Sequence, residues 1–147
     1  MSGQVLFHAA FPVKDIEETK EFYVNKLGCK AGRETAASVI LEFYGHQLVA
    51  HITKQELKPQ GSIYPRHLGL IFTEEADWDD LRQKLESEKV KFIEEPKTRF
   101  VGKITEHKTM FIEDPFFNLL EFKFYRHSEA IFGYVEGAEI GDPEAEN

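Results

Sequence analysis

The chain of 147 residues has one cysteine, no long apolar run and fewer basic than acidic residues. Cys29 has no partner for an internal disulfide, which is typical of a reducing compartment. No segment approaches the roughly 20 apolar residues that span a membrane. Residues 1–10 also lack the basic and apolar regions of a signal peptide. We therefore expect a cytoplasmic protein without a membrane partner.

The formal net charge of −8 argues against nucleic acid as a partner, because phosphate binding needs clustered Lys and Arg. Much of the negative charge lies in residues 134–147, which contain no Lys or Arg. The Gly, Pro and acidic content of this stretch is typical of a flexible tail. We expect a single domain over residues 1–127 and an acidic, flexible tail over residues 128–147, to which we assign no function.

Two stretches of the domain, about 4–54 and 65–125, show the same predicted order of strand, helix, strand, strand, strand. In the first, strands are predicted at 6–13, 29–33, 37–44 and 47–53, with a helix at 16–27 that Asp15 caps. In the second, strands are predicted at 67–73, 90–94, 109–113 and 116–125, with a helix at 77–88 and a longer, basic loop at 96–107. This repetition indicates an internal duplication of a βαβββ unit, and the fold class is α+β.

Four polar residues occupy matching places in the two predicted modules. His8 and His67 begin the first strand of each module, and His51 and Glu121 lie on the last strand of each. Any one of them alone is more typical of a hydrogen-bonded or solvated strand residue. Four such residues at equivalent positions on one face favour a metal site.

Several segments resemble the vicinal oxygen chelate superfamily, which includes glyoxalase I, bleomycin and fosfomycin resistance proteins and type I extradiol dioxygenases. The resemblance covers the chain from about Leu6 to Tyr125, and the run Gly45–His51 resembles a single-domain subgroup described as predicted extradiol dioxygenases. The segments that carry it are Phe7–Asp15, Glu21–Cys29, Arg66–Phe72 and Asp114–Phe122.

The resemblance implies two βαβββ modules that form a curved, U-shaped mixed sheet around a metal-binding cavity, with the helices outside. By position, His8, His67 and Glu121 match the family's metal ligands. Two His and one carboxylate form the facial triad of non-haem Fe(II) oxygenases, and the same donors also bind Mn, Zn or Ni. The resemblance thus implies an extradiol-type dioxygenase that acts on a small substrate with O2, in a homodimer.

His51 distinguishes the possible reactions. In an extradiol enzyme it matches a His that acts as catalytic acid and base, whereas in glyoxalase I it matches a fourth ligand. A glyoxalase-type metal-dependent lyase or isomerase and a non-enzymatic binding protein resembling those for bleomycin remain as alternatives. The predicted substrate-binding residues are Phe43, Arg99, Phe100, Lys108, Phe111, Lys123 and Tyr125.

Two positions depart from the family's pattern. Phe117 stands where the turn before the last strand usually has Gly, so that this turn either avoids positive φ or is strained. Phe111 stands where many dioxygenases that cleave aromatic diols carry Tyr, and Lys123 or Tyr125 is a candidate to supply the missing polar group.

Overall fold

The computed structural model describes residues 3–142 as two βαβββ modules, each with a four-stranded mixed sheet. Among the described residues, one compact unit comprises residues 3–59 together with Asp114–Asn118, and the other comprises Gln60–Glu113 and residues 119–142. The α+β fold class and the duplication of the module are confirmed. Among the described residues, no helix has both the length and the apolar character needed to cross a membrane.

The first sheet has the strand order β1-β4-β3-β2, in which only β1 and β4 pair in parallel. Its strands are β1 His8–Val13, β2 Lys30–Glu34, β3 Ser38–Phe43 and β4 His46–Ile52. Helix α1, Ile16–Lys20, continues into a π-helical segment, Glu21–Lys26. Together these cover almost all of the single helix predicted at 16–27.

Local signals explain where helix α1 begins and what it packs on. The Asp15 carboxylate accepts a hydrogen bond of 2.7 Å from the backbone N–H of Glu18, which is the predicted N-cap. Tyr23 is fully buried, with its ring 5.1 Å from that of Phe11 on β1. Its hydroxyl donates to Asp114 Oδ2 at 2.7 Å, so that the helix is joined to the Asp114–Asn118 turn of the same unit.

The Asp114–Asn118 turn is organised by one buried carboxylate. Asp114 Oδ1 accepts from the backbone N–H groups of Phe116 and Asn118, both at 2.8 Å, and Oδ2 accepts from the Asn118 side chain at 2.7 Å. Phe117 has φ +69°, in the left-handed region. Of the two outcomes expected for the missing glycine, the turn therefore shows the strained one.

The second sheet has the order β5-β8-β7-β6, with β5 and β8 as its parallel pair. Its elements are β5 Leu68–Phe72, α2 Glu75–Ser87, β6 Phe92–Arg99, β7 His107–Glu113 and β8 Leu119–Tyr125. Trp78 of α2 is buried and donates its indole N–H to the Phe122 carbonyl at 2.9 Å. The helix therefore covers the Leu120, Phe122 and Phe124 face of β8, as its alternation predicts.

The basic loop is shorter than predicted. Strand β6 extends to Arg99 and β7 begins at His107, so that only residues 100–106 connect them. The register between β6 and β7 shifts twice, between Phe92 and Glu94 and again between Glu94 and Lys97. These irregularities and Pro96 obscure the period of two that identifies a strand in a sequence.

The acidic segment after β8 differs from the free tail that we expected. A short 3-10 turn, Ser128–Ala130, follows the last strand, and residues farther along pair with basic residues of the second module. Glu139 lies 3.0 Å from Lys103 Nζ, and Asp142 lies 3.0 Å from Lys97 Nζ. Opposite charge holds this part of the segment, and residues 143–147 of the predicted tail lie outside the described range.

Exchange of Phe117 for Gly and for Ala tests the strain in the Asp114–Asn118 turn. Because Ala keeps the Cβ that disfavours positive φ, we expect Phe117→Gly to be more stable than Phe117→Ala by about 1 kcal/mol, the reverse of the usual order. Urea unfolding of the two variants measures the difference. Equal stabilities, or a more stable Ala variant, would show that the turn carries no such strain.

Candidate metal and substrate site in the second module

Glu121 is a buried carboxylate at the centre of one face of the second sheet. It is 6% exposed and pairs in register with Gly69 on β5 and Phe111 on β7. The neighbouring residues Leu120 and Phe122 point to the opposite face, which is the core. The alternation of β8 therefore places a single acid on the face that does not carry the helix.

Three side chains contact the Glu121 carboxylate. Thr109 donates to Oε2 at 2.6 Å, Arg99 Nη1 donates to the same oxygen at 3.3 Å, and His67 Nε2 lies 3.1 Å from Oε1. Burial by itself would raise the pKa of Glu121, but His67, Lys123, Thr109 and Arg99 together hold that pKa below its usual value. The carboxylate is therefore an anion at neutral pH.

The hydrogen bond of the other ring nitrogen defines the state of His67. Nδ1 lies 2.8 Å from the Ile63 carbonyl, which can only accept, so Nδ1 carries a proton. In the neutral ring, Nε2 then has a lone pair that points at the Glu121 oxygen 3.1 Å away. Two acceptors at this distance need a proton or a cation between them, and the pKa of His67 is accordingly raised by Glu121.

This pair fits a divalent metal ion. An imidazole whose second N–H is held by a carbonyl, together with a carboxylate whose second oxygen is hydrogen-bonded, is the usual arrangement of ligands around a protein-bound metal. Within residues 3–142, no group of three or more His, Cys, Asp or Glu side chains lies close enough to hold a metal. The second module thus supplies two of the three predicted ligands.

The third predicted ligand, His8, belongs to the other module. Its side chain is exposed on β1, and its Nδ1 lies 2.8 Å from Gln47 Oε1 of the neighbouring strand. An exposed imidazole with an amide partner keeps Nε2 free to coordinate when Nδ1 is the donor. The role of His8 as a ligand stays a prediction.

The register of the first sheet changes the comparison between His51 and Glu121. With His8 equivalent to His67, Ala10 is the counterpart of Gly69. Ala10 pairs with Val49 and Gly69 pairs with Glu121, so that the residue equivalent to Glu121 is Val49. His51 pairs with Pro12 and lies two residues farther along. His51 and His8 lie on the same exposed face of the sheet. Along the strands they are four positions apart, about 13 Å at 3.3 Å per residue, which is too far for one ion to contact both.

The equivalence failed because the two hairpins differ in length. A two-residue turn, Tyr44 and Gly45, connects β3 to β4, whereas five residues, Asp114–Asn118, connect β7 to β8. Aligning the two modules by the number of residues between matching positions assigned all the extra length of the second module to the basic loop. His51 remains a predicted acid and base, on its own strand and not as the counterpart of Glu121.

Arg99 is a buried guanidinium next to Glu121. Its side chain is 4% exposed, and it contacts Glu121, Asp142 and the hydroxyl of Tyr64. The guanidinium carbon lies 5.9 Å from the centre of the Phe111 ring. The structure therefore brings together two predicted substrate residues, Arg99 and Phe111, with the predicted ligands His67 and Glu121.

Two more predicted substrate residues share this face of β8. Lys123 Nζ donates to the Tyr125 hydroxyl at 2.9 Å, and the Tyr125 ring lies 4.8 Å from that of His107. Phe100 has its ring 5.9 Å from the same imidazole. These residues form an aromatic and cationic wall along β8 and the loop that precedes β7.

The remaining predicted substrate residues lie elsewhere. Lys108 points to the helical face of the sheet, where its Nζ is 2.8 Å from Glu75 and 5.1 Å from the centre of the Trp78 ring. Lys108 lies between His107 and Thr109 on β7, and its side chain therefore points to the face opposite that of Glu121. Phe43 is 2% exposed in the core of the first module.

Sequence reasoning missed four residues around Arg99 and Glu121, namely Tyr64, Lys97, Thr109 and Asp142. Thr109 had a usable signal, because it lies two residues before Phe111 on the same predicted strand and thus on the same face. The sequence predicts Lys97 and Tyr64 in connecting segments, in which side chains do not alternate between two faces. Asp142 lay in a stretch that composition alone marked as a tail.

The strand order and the repeated units define a two-module α+β protein. Residues 5–122 match the model of the Glyoxalase/Bleomycin resistance protein/Dioxygenase superfamily. The chain therefore belongs to this superfamily, also called vicinal oxygen chelate, as its motifs predict. None of the curated proteins compared with it matches.

Solved structures share the fold. A glyoxalase/bleomycin resistance protein/dioxygenase from Alicyclobacillus acidocaldarius is 38% identical, with a TM-score of 0.83 over 90% of this chain and 100% of that one. A fosfomycin resistance protein from Listeria monocytogenes is 14% identical, with a TM-score of 0.66 over 86% and 98% of the two chains. Lactoylglutathione lyase from Agrobacterium tumefaciens is 13% identical, with a TM-score of 0.64 over 91% and 100%. The last two likenesses show the fold alone.

Gly69 controls the position of Glu121, because a Cβ at residue 69 would lie 1.7 Å from the Glu121 carbonyl oxygen. We expect Gly69→Ala to destabilise the protein by about 1–3 kcal/mol or more, since the backbone of one strand must move. Thermal or urea unfolding measures the loss. Gly32→Ala is the matched control: its Cβ would first meet an Ile40 side-chain atom at 3.3 Å, so a change within about 0.5 kcal/mol is expected. Equal effects of the two substitutions would contradict the close approach.

Proposed function

We propose that this protein is an Fe(II)-dependent, ring-cleaving dioxygenase of the extradiol type, which acts on a small substrate with two neighbouring oxygens. His8, His67 and Glu121 are the proposed ligands. The observation that carries the proposal is the 3.1 Å approach of His67 Nε2 to Glu121 Oε1, with the second nitrogen of the ring and the second oxygen of the carboxylate already hydrogen-bonded. Such a pair needs a proton or a cation between the nitrogen and the oxygen, and a divalent metal ion meets this need.

The ligand set favours oxygen chemistry over a glyoxalase-type reaction. The position in the first module that is equivalent to Glu121 holds Val49, which has no atom that binds a metal or takes up a proton. A set of two His and one carboxylate remains, and it leaves coordination positions open for the substrate oxygens and O2. Fe(II) is the preferred metal, and Mn, Zn and Ni suit the same donors.

The residues of the second module orient the ligands and the substrate. Thr109 and Arg99 hold Glu121 Oε2, so that Oε1 faces His67. The Ile63 carbonyl keeps the proton of His67 on Nδ1. Phe111 supports the imidazole, with ring centres 5.0 Å apart in an edge-to-face arrangement.

His51 is the proposed acid and base of the reaction. Its side chain is exposed on the same face of the first sheet as His8. An imidazole changes charge near neutral pH, which suits proton transfer to and from a diol. Phe100, Lys123 and Tyr125 complete the proposed substrate-binding set, from which Lys108, on the helical face of the sheet, and Phe43, in the core of the first module, are left out. We propose a cytoplasmic homodimer as the working form.

Anaerobic loading with Fe(II), followed by oxygen uptake with a panel of catechols, tests the function. We expect uptake and one bound iron per chain in the wild type. Glu121→Gln is expected to lower iron affinity by at least about 100-fold, because loss of a partner outside the ligand shell already costs 10–100-fold. Uptake should then fall to background.

The control is His127→Gln, which changes an exposed His after the last strand. It should bind iron and consume oxygen like the wild type. Oxygen uptake that is the same in Glu121→Gln and the wild type would contradict the proposal. Turnover of a glutathione hemithioacetal with Ni or Zn in the absence of O2 would instead identify a glyoxalase-type lyase or isomerase. Retention of bleomycin without bound metal would identify a binding protein.

A further inference from the structure

A second carboxylate, from Asp142, lies against Arg99 in the same way as a bound ligand. Arg99 Nε donates to Oδ1 at 2.8 Å and Nη2 donates to Oδ2 at 3.1 Å, so that the guanidinium grips both oxygens. Lys97 Nζ adds contacts of 3.0 and 3.2 Å to the same two oxygens. This two-point pairing is the geometry by which arginine recognises a planar carboxylate.

Arg99 connects this carboxylate to the candidate metal ligands. While Nε and Nη2 bind Asp142, Nη1 donates to Glu121 at 3.3 Å. The guanidinium is therefore shared between two acids, one on strand β8 and one on the acidic segment. A group that replaced the Asp142 carboxylate would therefore bind the same guanidinium that contacts Glu121.

The place occupied by Asp142 favours an anion. The Arg99 side chain is 4% exposed, so its charge is shielded from water on nearly all sides. Without Asp142, Nε would lose its partner, and Nη2 would keep only a 3.5 Å contact with the Tyr64 hydroxyl. Without Asp142 the guanidinium keeps only Glu121 as an acidic partner, and another carboxylate restores the two-point pairing.

The segment that delivers Asp142 is held by polar contacts more than by packing. Val135 and Ile140 are 83% and 84% exposed. A cavity of about 530 Å³ lies between residues 134 and 140 of the segment and the loop residues Phe100 and Lys103. Segments with few buried apolar contacts open at low free-energy cost, so that a competing anion can displace this one.

We propose that Arg99 and Lys97 form a carboxylate-binding site, that Asp142 fills it in the free protein, and that the substrate carries a carboxylate which displaces Asp142. The substrate assignment rests on the proposed function, and the binding site itself does not. The acidic segment then acts as an internal competitor for anionic substrates. Its effect on affinity follows from its high effective concentration next to the site.

Acetate is the direct probe, because it reproduces the side-chain carboxylate of Asp142. The Arg99 Nε–H resonance is followed by NMR in the metal-free, full-length protein as acetate is added. In Asp142→Ala we expect a saturable shift, whereas the wild type should need at least about tenfold more acetate, since an intramolecular carboxylate competes at millimolar effective concentration or above. Asp142→Asn, which keeps the size of the side chain, should behave like the Ala variant.

Two controls separate specific binding from general effects. Acetamide has the shape of acetate without the charge and should not move the resonance in any variant. Glu136→Ala removes a neighbouring acid of the same segment and should respond to acetate like the wild type. If Asp142→Ala and the wild type respond equally, or if acetamide acts like acetate, the proposal is overturned. Tighter binding of methylphosphonate than of acetate would overturn the carboxylate assignment.

The substrate assignment has its own measurement. With iron-loaded enzyme, Asp142→Ala is expected to raise kcat/KM for a dihydroxybenzoate by about tenfold and to leave that for unsubstituted catechol unchanged. Equal changes for both substrates would overturn it. Because the acetate titration involves neither metal nor O2, its failure and the failure of the dioxygenase proposal are separate results.

Discussion

The burial of the Glu121 carboxylate is the constraint around which the second module is arranged. An ionised acid that is 6% exposed is tolerated only when each of its oxygens has partners. Thr109 and Arg99 meet this need at one oxygen and His67 at the other. The buried charge of Arg99 has a corresponding need, which Asp142 meets. One acid on the last strand thus has partners on β6, on β7 and just before β5, and its partner Arg99 also binds the acidic segment.

The sequence was informative wherever a period or a turn determined the structure. Alternation along Leu119–Tyr125 predicted which side chains enter the core, and Asp15 correctly predicted the start of the first helix. The βαβββ repeat followed from the order of such elements. The same alternation placed Lys123 and Tyr125 on the face of Glu121, because strand geometry leaves only two choices.

What could not be read from the sequence depended on contacts between elements. The offset of His51 from Glu121 arises from a difference in hairpin length that chain distance cannot locate. Lys108 has the charge of a ligand-binding residue, but its place in the alternation of β7 turns it toward α2. The sequence predicted Asp142 to be a solvent-exposed acid, because its partners, Lys97 and Arg99, are more than 40 residues away along the chain. Electrostatic pairing at such separations has no local signature.

The parallel pairing of β5 with β8 has a consequence for the order of assembly. His67 and Glu121 meet only when the first and last strands of the module are side by side, with α2, β6 and β7 folded between them. Contacts that close so long a loop form late, because the entropy of the intervening chain is lost before they contribute. The two side chains therefore come together only when the module is completely folded. An ion held by both would bind the folded module and not its partly folded precursors.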